Sequence, residues 1–137
     1  MQDVKMNVKA KLSAAWITAM FLYVYGDFLT IFSPGMVDDL LAGDLGGMQT
    51  TQVVLLGIAI FMAIPSFMVF LSIALKARAN RWANIIVGTI YTAVALVTGF
   101  GALMGGVLFY VFLAILEAAL CMLIVRFAWM WPRTDVA

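Results

Sequence analysis

The sequence predicts an all-α integral membrane protein: an up-down-up-down bundle of four transmembrane helices, with a short amphipathic helix in its outer loop. Three observations carry this. Four apolar runs are each long enough to cross a bilayer, every Lys and Arg would gather at one end of their bundle, and polar side chains are too few to cover a soluble core. Of the 137 residues, 66% are hydrophobic and 11% charged. An ordinary soluble domain is about 45–50% apolar and about 25% charged, and so short a chain cannot hide that excess from water.

A hydrocarbon core of about 30 Å requires about 20 mostly apolar residues in helical form. The runs that qualify are residues 12–32, 51–75, 83–103 and 107–131 of one domain, 1–137. Helix follows because each backbone polar group in lipid must be satisfied within its own segment, and no run alternates as a barrel strand would. A cleaved signal peptide is set aside, since its apolar core would be about 7–15 residues with a small-residue cleavage site. Span one is longer and carries Tyr23, Tyr25 and Asp27.

Charge sets the orientation. Lys5, Lys9 and Lys11 precede span one, Lys76, Arg78 and Arg81 join spans two and three, and Arg126 and Arg133 lie at the end of span four. The loop after span one holds Asp38, Asp39 and Asp44 with no Lys or Arg. The positive-inside rule then places both termini in the cytoplasm of a cell whose inner (plasma) membrane holds the protein. Trp16, Trp82, Trp129 and Trp131 fall near that same face, as interfacial anchors. In the outer loop, Ser33 can cap a short helix with Pro34 in its first turn, Val37, Leu40 and Leu41 on one face, and Gly43 at its end. Pro65 and Ser66 are expected to kink span two, and Gly88, Gly99, Gly101, Gly105 and Gly106 to allow close helix approach and a tight outer turn.

Several function classes are excluded. A formal net charge of +1 leaves no basic face for nucleic acid. Histidine is absent, which removes the commonest metal ligand, the usual haem ligand and the usual general base; no metal and no cofactor is expected. The single cysteine, Cys121, allows neither an internal disulfide nor a CxxC pair and reads as a buried packing residue.

The stretch YVYGD at Tyr23–Asp27, Thr51-Gln52 at the head of span two, Asn80-Arg81-Trp82-Ala83-Asn84-Ile85 in the basic loop, and Glu117 in span four resemble a family of uncharacterised bacterial membrane proteins, a domain of unknown function with four membrane helices. The resemblance runs from about Asn7 to Arg133. It implies the same topology and a bacterial inner membrane, and it brings no activity, substrate or site.

Two carboxyls in the spans demand an explanation, since an ionisable group in hydrocarbon costs about 2.5–3.5 kcal/mol on insertion scales. Helical rise puts Glu117 about 15 Å below the outer surface, near the midplane, and Asp27 only roughly 8 Å below it. An up-down-up-down bundle closes spans one and four together. One inner face is therefore expected to hold Tyr23, Asp27, Tyr110, Glu117 and Cys121, opposite Asn84, Gly88, Tyr91, Ala95 and Thr98 of span three. On the functional reading Glu117 is a protonatable switch, with Asp27, Tyr23, Tyr91, Tyr110 and Asn84 completing a ligand- or proton-binding set. On the structural reading Glu117 is protonated and bonded to Tyr23 or Tyr91 as glue between helices. Asp27 is shallow enough for water to explain it. Asn80, Arg81 and Asn84 could hold a lipid phosphate or simply anchor the interface.

The functions that follow are a proton-linked small-molecule transporter or lipophilic-ligand-binding protein, working in the lipid bilayer as a homodimer. An accessory subunit bound to another membrane protein is the alternative, and a lipid-modifying enzyme comes third.

Overall fold

The computed structural model describes residues 3–132. Among these, four helices are long and apolar enough to cross a membrane: α1 (Val8–Ile31), α3 (Gln52–Ala74), α4 (Ala77–Met104) and α5 (Leu108–Trp129). The short helix α2 (Met36–Leu41) and a two-stranded ribbon, β1 (Asp44–Leu45) and β2 (Met48–Gln49), fill the loop between α1 and α3. Arg133 lies outside the described residues.

Local chemistry sets the helix ends. Asn7 caps α1, its side chain accepting from the Lys9 N–H at 3.0 Å, and Thr51 caps α3, accepting from the Val54 N–H at 3.2 Å. α4 closes on Gly106, whose φ of +72° suits glycine. There the Gly106 N–H bonds the Leu103 carbonyl and the Val107 N–H bonds the Ala102 carbonyl, the paired bonds of a Schellman turn. α1 begins four residues, and α4 six residues, before the apolar runs at 12 and 83. Polar residues outside hydrocarbon are no obstacle to helix, and the Ala-Arg-Ala start of α4 favours it.

α4 and α5 pack most intimately, α1 lies against both α5 and α3, and α3 meets α4 only lightly. Spans one and four do touch. Close approach of α4 to α5 depends on two glycines: a Cβ at Gly88 would sit 2.8 Å from Val125 Cγ2, and one at Gly99 would sit 2.9 Å from Ala114 Cβ. Gly101 has open space instead and plays no such part.

The core sits in the half of the bundle that carries the termini. Leu12, Ala15, Trp16 and Ala19 of α1 pack there with Met68 of α3 and with Ile124 and Ala128 of α5. Cations close this end by binding helix C-termini, where unsatisfied carbonyls carry partial negative charge. Lys9 Nζ donates to the Leu75 carbonyl at 2.6 Å, and Arg81 Nε donates to the Ala128 carbonyl at 3.1 Å. Towards the other end α3 stands away, and from Thr51 to Ile60 only Val54 is even half-buried.

Two expectations for the outer loop and the belt are corrected. Ser33 does not cap α2; Gly35, with φ of +82°, occupies the cap without a side-chain bond, and Asp38 and Asp39 in the first turn complement the helix dipole. The ribbon turns through Gly46 and Gly47, both at positive φ, with Asp44 Oδ1 accepting from the Gly47 N–H at 2.6 Å. Trp16 is no interfacial anchor, since it is wholly buried. Trp82 and Trp129 are exposed and flank the Arg81 guanidinium, whose centre lies 5.7 and 5.6 Å from their rings.

Candidate functional site

Helical spacing brings the expected face together. On α1, Tyr23 and Asp27 are one turn apart, and Gly26 between them packs against Leu113 and Tyr110 of α5 with room for a Cβ at ordinary contact distance. On α5, Glu117 and Cys121 are buried one turn apart, with Tyr110 two turns earlier. Glu117 is 4% exposed, and no side-chain hydrogen bond among the described residues reaches its carboxyl. Tyr23 lies within electrostatic reach of Glu117, Cys121, Tyr91 and Tyr110, and Glu117 within reach of Asp27. The Tyr23 hydroxyl is buried with no hydrogen-bond partner among the described residues.

Tyr91 does not bond Glu117 as the glue reading requires. Its hydroxyl donates to the backbone carbonyl of Phe61, and its ring stacks on Phe61 at 4.8 Å between centroids. The reason lies in α3. Pro65 has no N–H, so the carbonyl four residues earlier, that of Phe61, loses its helical partner. A carbonyl orphaned inside a membrane bundle must be satisfied by a neighbour, and Tyr91 of α4 supplies the hydroxyl. Trp16 and Tyr23 complete the aromatic cluster, each edge-on to Tyr91.

Asn84 is not part of the Glu117 group. Its Oδ1 accepts from Trp16 Nε1 at 2.8 Å and from Ser72 Oγ at 3.2 Å, while its Nδ2 donates to Asn80 O at 2.9 Å and Asn80 Oδ1 at 2.7 Å. All four hydrogen-bonding positions of the amide are filled. Asn80 in turn donates to the Ser72 carbonyl at 2.5 Å, so α1, α3 and α4 are tied at one buried point. Neither asparagine faces the headgroups, and Arg81 is committed to α5, so these three residues do not form a lipid-phosphate site. Unlike Asn84, Thr98 is exposed, beside the Tyr110 hydroxyl.

Asp27 is exposed rather than internal. It opens onto a cleft of about 470 Å³ under the α2 loop, between α1, α3 and Tyr110 of α5. Ile31, Met36, Leu40, Leu55 and Ile58 make most of its wall apolar. Tyr110 lines this cleft and also lies within electrostatic reach of both Asp27 and Glu117. At the far side the Trp16–Asn84–Ser72 network closes the bundle. A model of the family of unknown function DUF6326 matches residues 2–137. The chain belongs to that family. No curated protein and no solved structure matches it.

In this DUF6326 member the arrangement supplies an exposed and a buried carboxyl, one phenol within electrostatic reach of both, and an apolar cleft beside the exposed one. Such a group can exchange a proton or pair with a cation. Among the described residues no three His, Cys, Asp or Glu side chains come together as a metal would require. Reading the sequence alone missed Phe61, Ser72 and the cleft wall from α2 and the ribbon. Phe61 was findable, because a proline inside a span names the carbonyl it orphans. Ser72 gave no such signal.

Proposed function

We propose that this chain is a membrane-embedded binding protein of the transporter type, which admits a lipophilic small molecule through the cleft and uses Glu117 as its exchangeable acid. The carrying observation is a carboxyl 4% exposed, reached by no side-chain hydrogen bond among the described residues, and within electrostatic reach of Tyr110, which lines an apolar cleft. An intramembrane carboxyl left without a partner is more useful as a proton or ligand site than as glue. The groups within electrostatic reach of it are Tyr23 and Asp27 from α1, and Tyr110 and Cys121 from its own helix; Tyr91 of α4 neighbours Cys121 and Tyr23, and α3 brings Phe61 to the cluster and no titratable side chain.

Among the described residues the basic side chains lie at the end opposite the cleft, and the positive-inside rule supports a reading with the termini in the cytoplasm and the cleft outside the plasma membrane. Four helices enclose little space, so the working unit is a homodimer. The test is the full chain in proteoliposomes loaded with a pH-sensitive dye and challenged with lipophilic solutes, as wild type and as Glu117→Gln. Solute-dependent proton movement in wild type, falling in the variant to that of empty vesicles, is the expected result. Equal movement in both rules out Glu117 as the exchanging acid.

A further inference from the structure

We infer that the cleft selects an amphiphilic organic cation, an ammonium head on an apolar body, with Asp27 as the residue that pairs with the head. This rests on the proposed binding role and adds to it the charge of the ligand and the residue that reads it. Residues 12–75 contain no Lys or Arg, and neither do residues 82–125. Every described residue lining the cleft therefore comes from a stretch without a cation, and among them Asp27 carries the single carboxyl. Asp38, Asp39 and Asp44 in the α2 loop add negative charge at the same end. A cationic ligand is drawn to such a field and an anionic one repelled.

The shape of the cleft argues for an amphiphile rather than a bare ion. A metal ion or sodium needs several oxygens around it. Here Asp27 is accompanied by Thr30 and Tyr110, and the rest of the wall is Ile31, Met36, Leu40, Leu45, Leu55 and Ile58 with Gly46. A volume of about 470 Å³ lies within the range of small-molecule sites, whose walls are mostly apolar with a few placed polar groups. Tyr110 adds a ring beside the carboxyl, and an aromatic face attracts an alkylammonium as well. Glu117, 4% exposed and within electrostatic reach of Tyr110, is a second carboxyl that no side-chain hydrogen bond among the described residues reaches.

Phenyltrimethylammonium and tert-butylbenzene have nearly the same shape and differ in charge, so they separate the two halves of the inference. Binding of each is measured by equilibrium dialysis of the full chain in dodecyl maltoside, a neutral detergent without an amine, against protein-free micelles. Wild type is expected to hold the cation about tenfold or more tighter than the neutral isostere, since an ion pair at about 4 Å in partly dry surroundings is worth at least that factor. Asp27→Asn should bring the two affinities together, and Asp27→Glu should keep the preference, which guards against a folding defect. If both probes bind equally in wild type, the cation assignment falls while lipophile binding stands. If neither binds, the binding role itself falls and takes this inference with it. A preference that survives Asp27→Asn but not Glu117→Gln moves the head group to the deeper acid and overturns the role of Asp27. Loss of cation binding when phosphatidylethanolamine is added means that the lipid's own amine is the occupant, which overturns a soluble ligand.

Discussion

At the scale of single residues, the most informative event is the loss of one N–H. Pro65 deprives the Phe61 carbonyl of its helical partner, and the Tyr91 hydroxyl replaces it across the α3–α4 boundary. These helices otherwise meet only lightly, tied besides by the Ser72 bonds to Asn80 and Asn84, so the bond is one of few that hold them together. Tyr91→Phe should lower stability by about 1 kcal/mol, the usual scale of a hydrogen bond whose acceptor is left buried and unpaired. In a Pro65→Ala background the restored N–H at position 65 can take the same carbonyl. The cost of Tyr91→Phe should then shrink to a fraction of its value. Equilibrium unfolding of the four proteins of this double-mutant cycle in mixed micelles measures the coupling. Strict additivity would mean that the hydroxyl's contribution does not come from satisfying the carbonyl that Pro65 orphans.

At the scale of elements, the spans were legible because lipid leaves so few choices: an apolar run of this length has helix as its solution. Their order in space was legible only in part. Pairing α1 with α5 follows from an antiparallel bundle, but the sequence does not say that α3 would stand away from α4 at the cleft end. Nor does it say which glycines matter. Gly99 and Gly101 are two residues apart and look alike in the sequence, yet one meets the Cβ of Ala114 and the other meets nothing. A Cβ is fixed to the backbone, so adding one opposite Ala114 must push α4 and α5 apart. Gly99→Ala should therefore destabilise the bundle by about 1–3 kcal/mol, as overpacking does. Gly101→Ala should be neutral or stabilising by up to about 1 kcal/mol through helix propensity. Thermal unfolding of the two single variants in detergent decides between them, and equal losses would show that α4 and α5 are not as close as described. Trp16, expected as an interfacial anchor, and Asn84, expected beside Glu117, lie elsewhere for a related reason. Trp16 and Asn84 have the composition of an interfacial belt, and only the third dimension shows them bonded to each other inside the core.

At the scale of the whole molecule, the two ends of the bundle do opposite things. The end with the termini is closed by apolar packing, by the fully bonded Asn84 amide and by Lys9 and Arg81 on helix C-termini. The other end is open, because α3 leans away and the α2 loop roofs the gap instead of filling it. This asymmetry predicts one-sided chemical access. Cys121 is 0% exposed, so the native chain should resist a membrane-impermeant maleimide until it is denatured. Asp27→Cys places a thiol where the cleft admits water and should be labelled in intact cells, from the side opposite the termini. Asn84→Cys, in the closed half, should stay unlabelled from either side. Labelling of Asp27→Cys only after the cells are opened would invert the orientation, and labelling of Asn84→Cys in the folded protein would mean that the closed end is not closed. The distinction matters for mechanism. On the proposed transporter reading the opposite seal must be breakable, and that seal combines hydrogen bonds and cation caps, which can exchange for water, with apolar packing, which cannot.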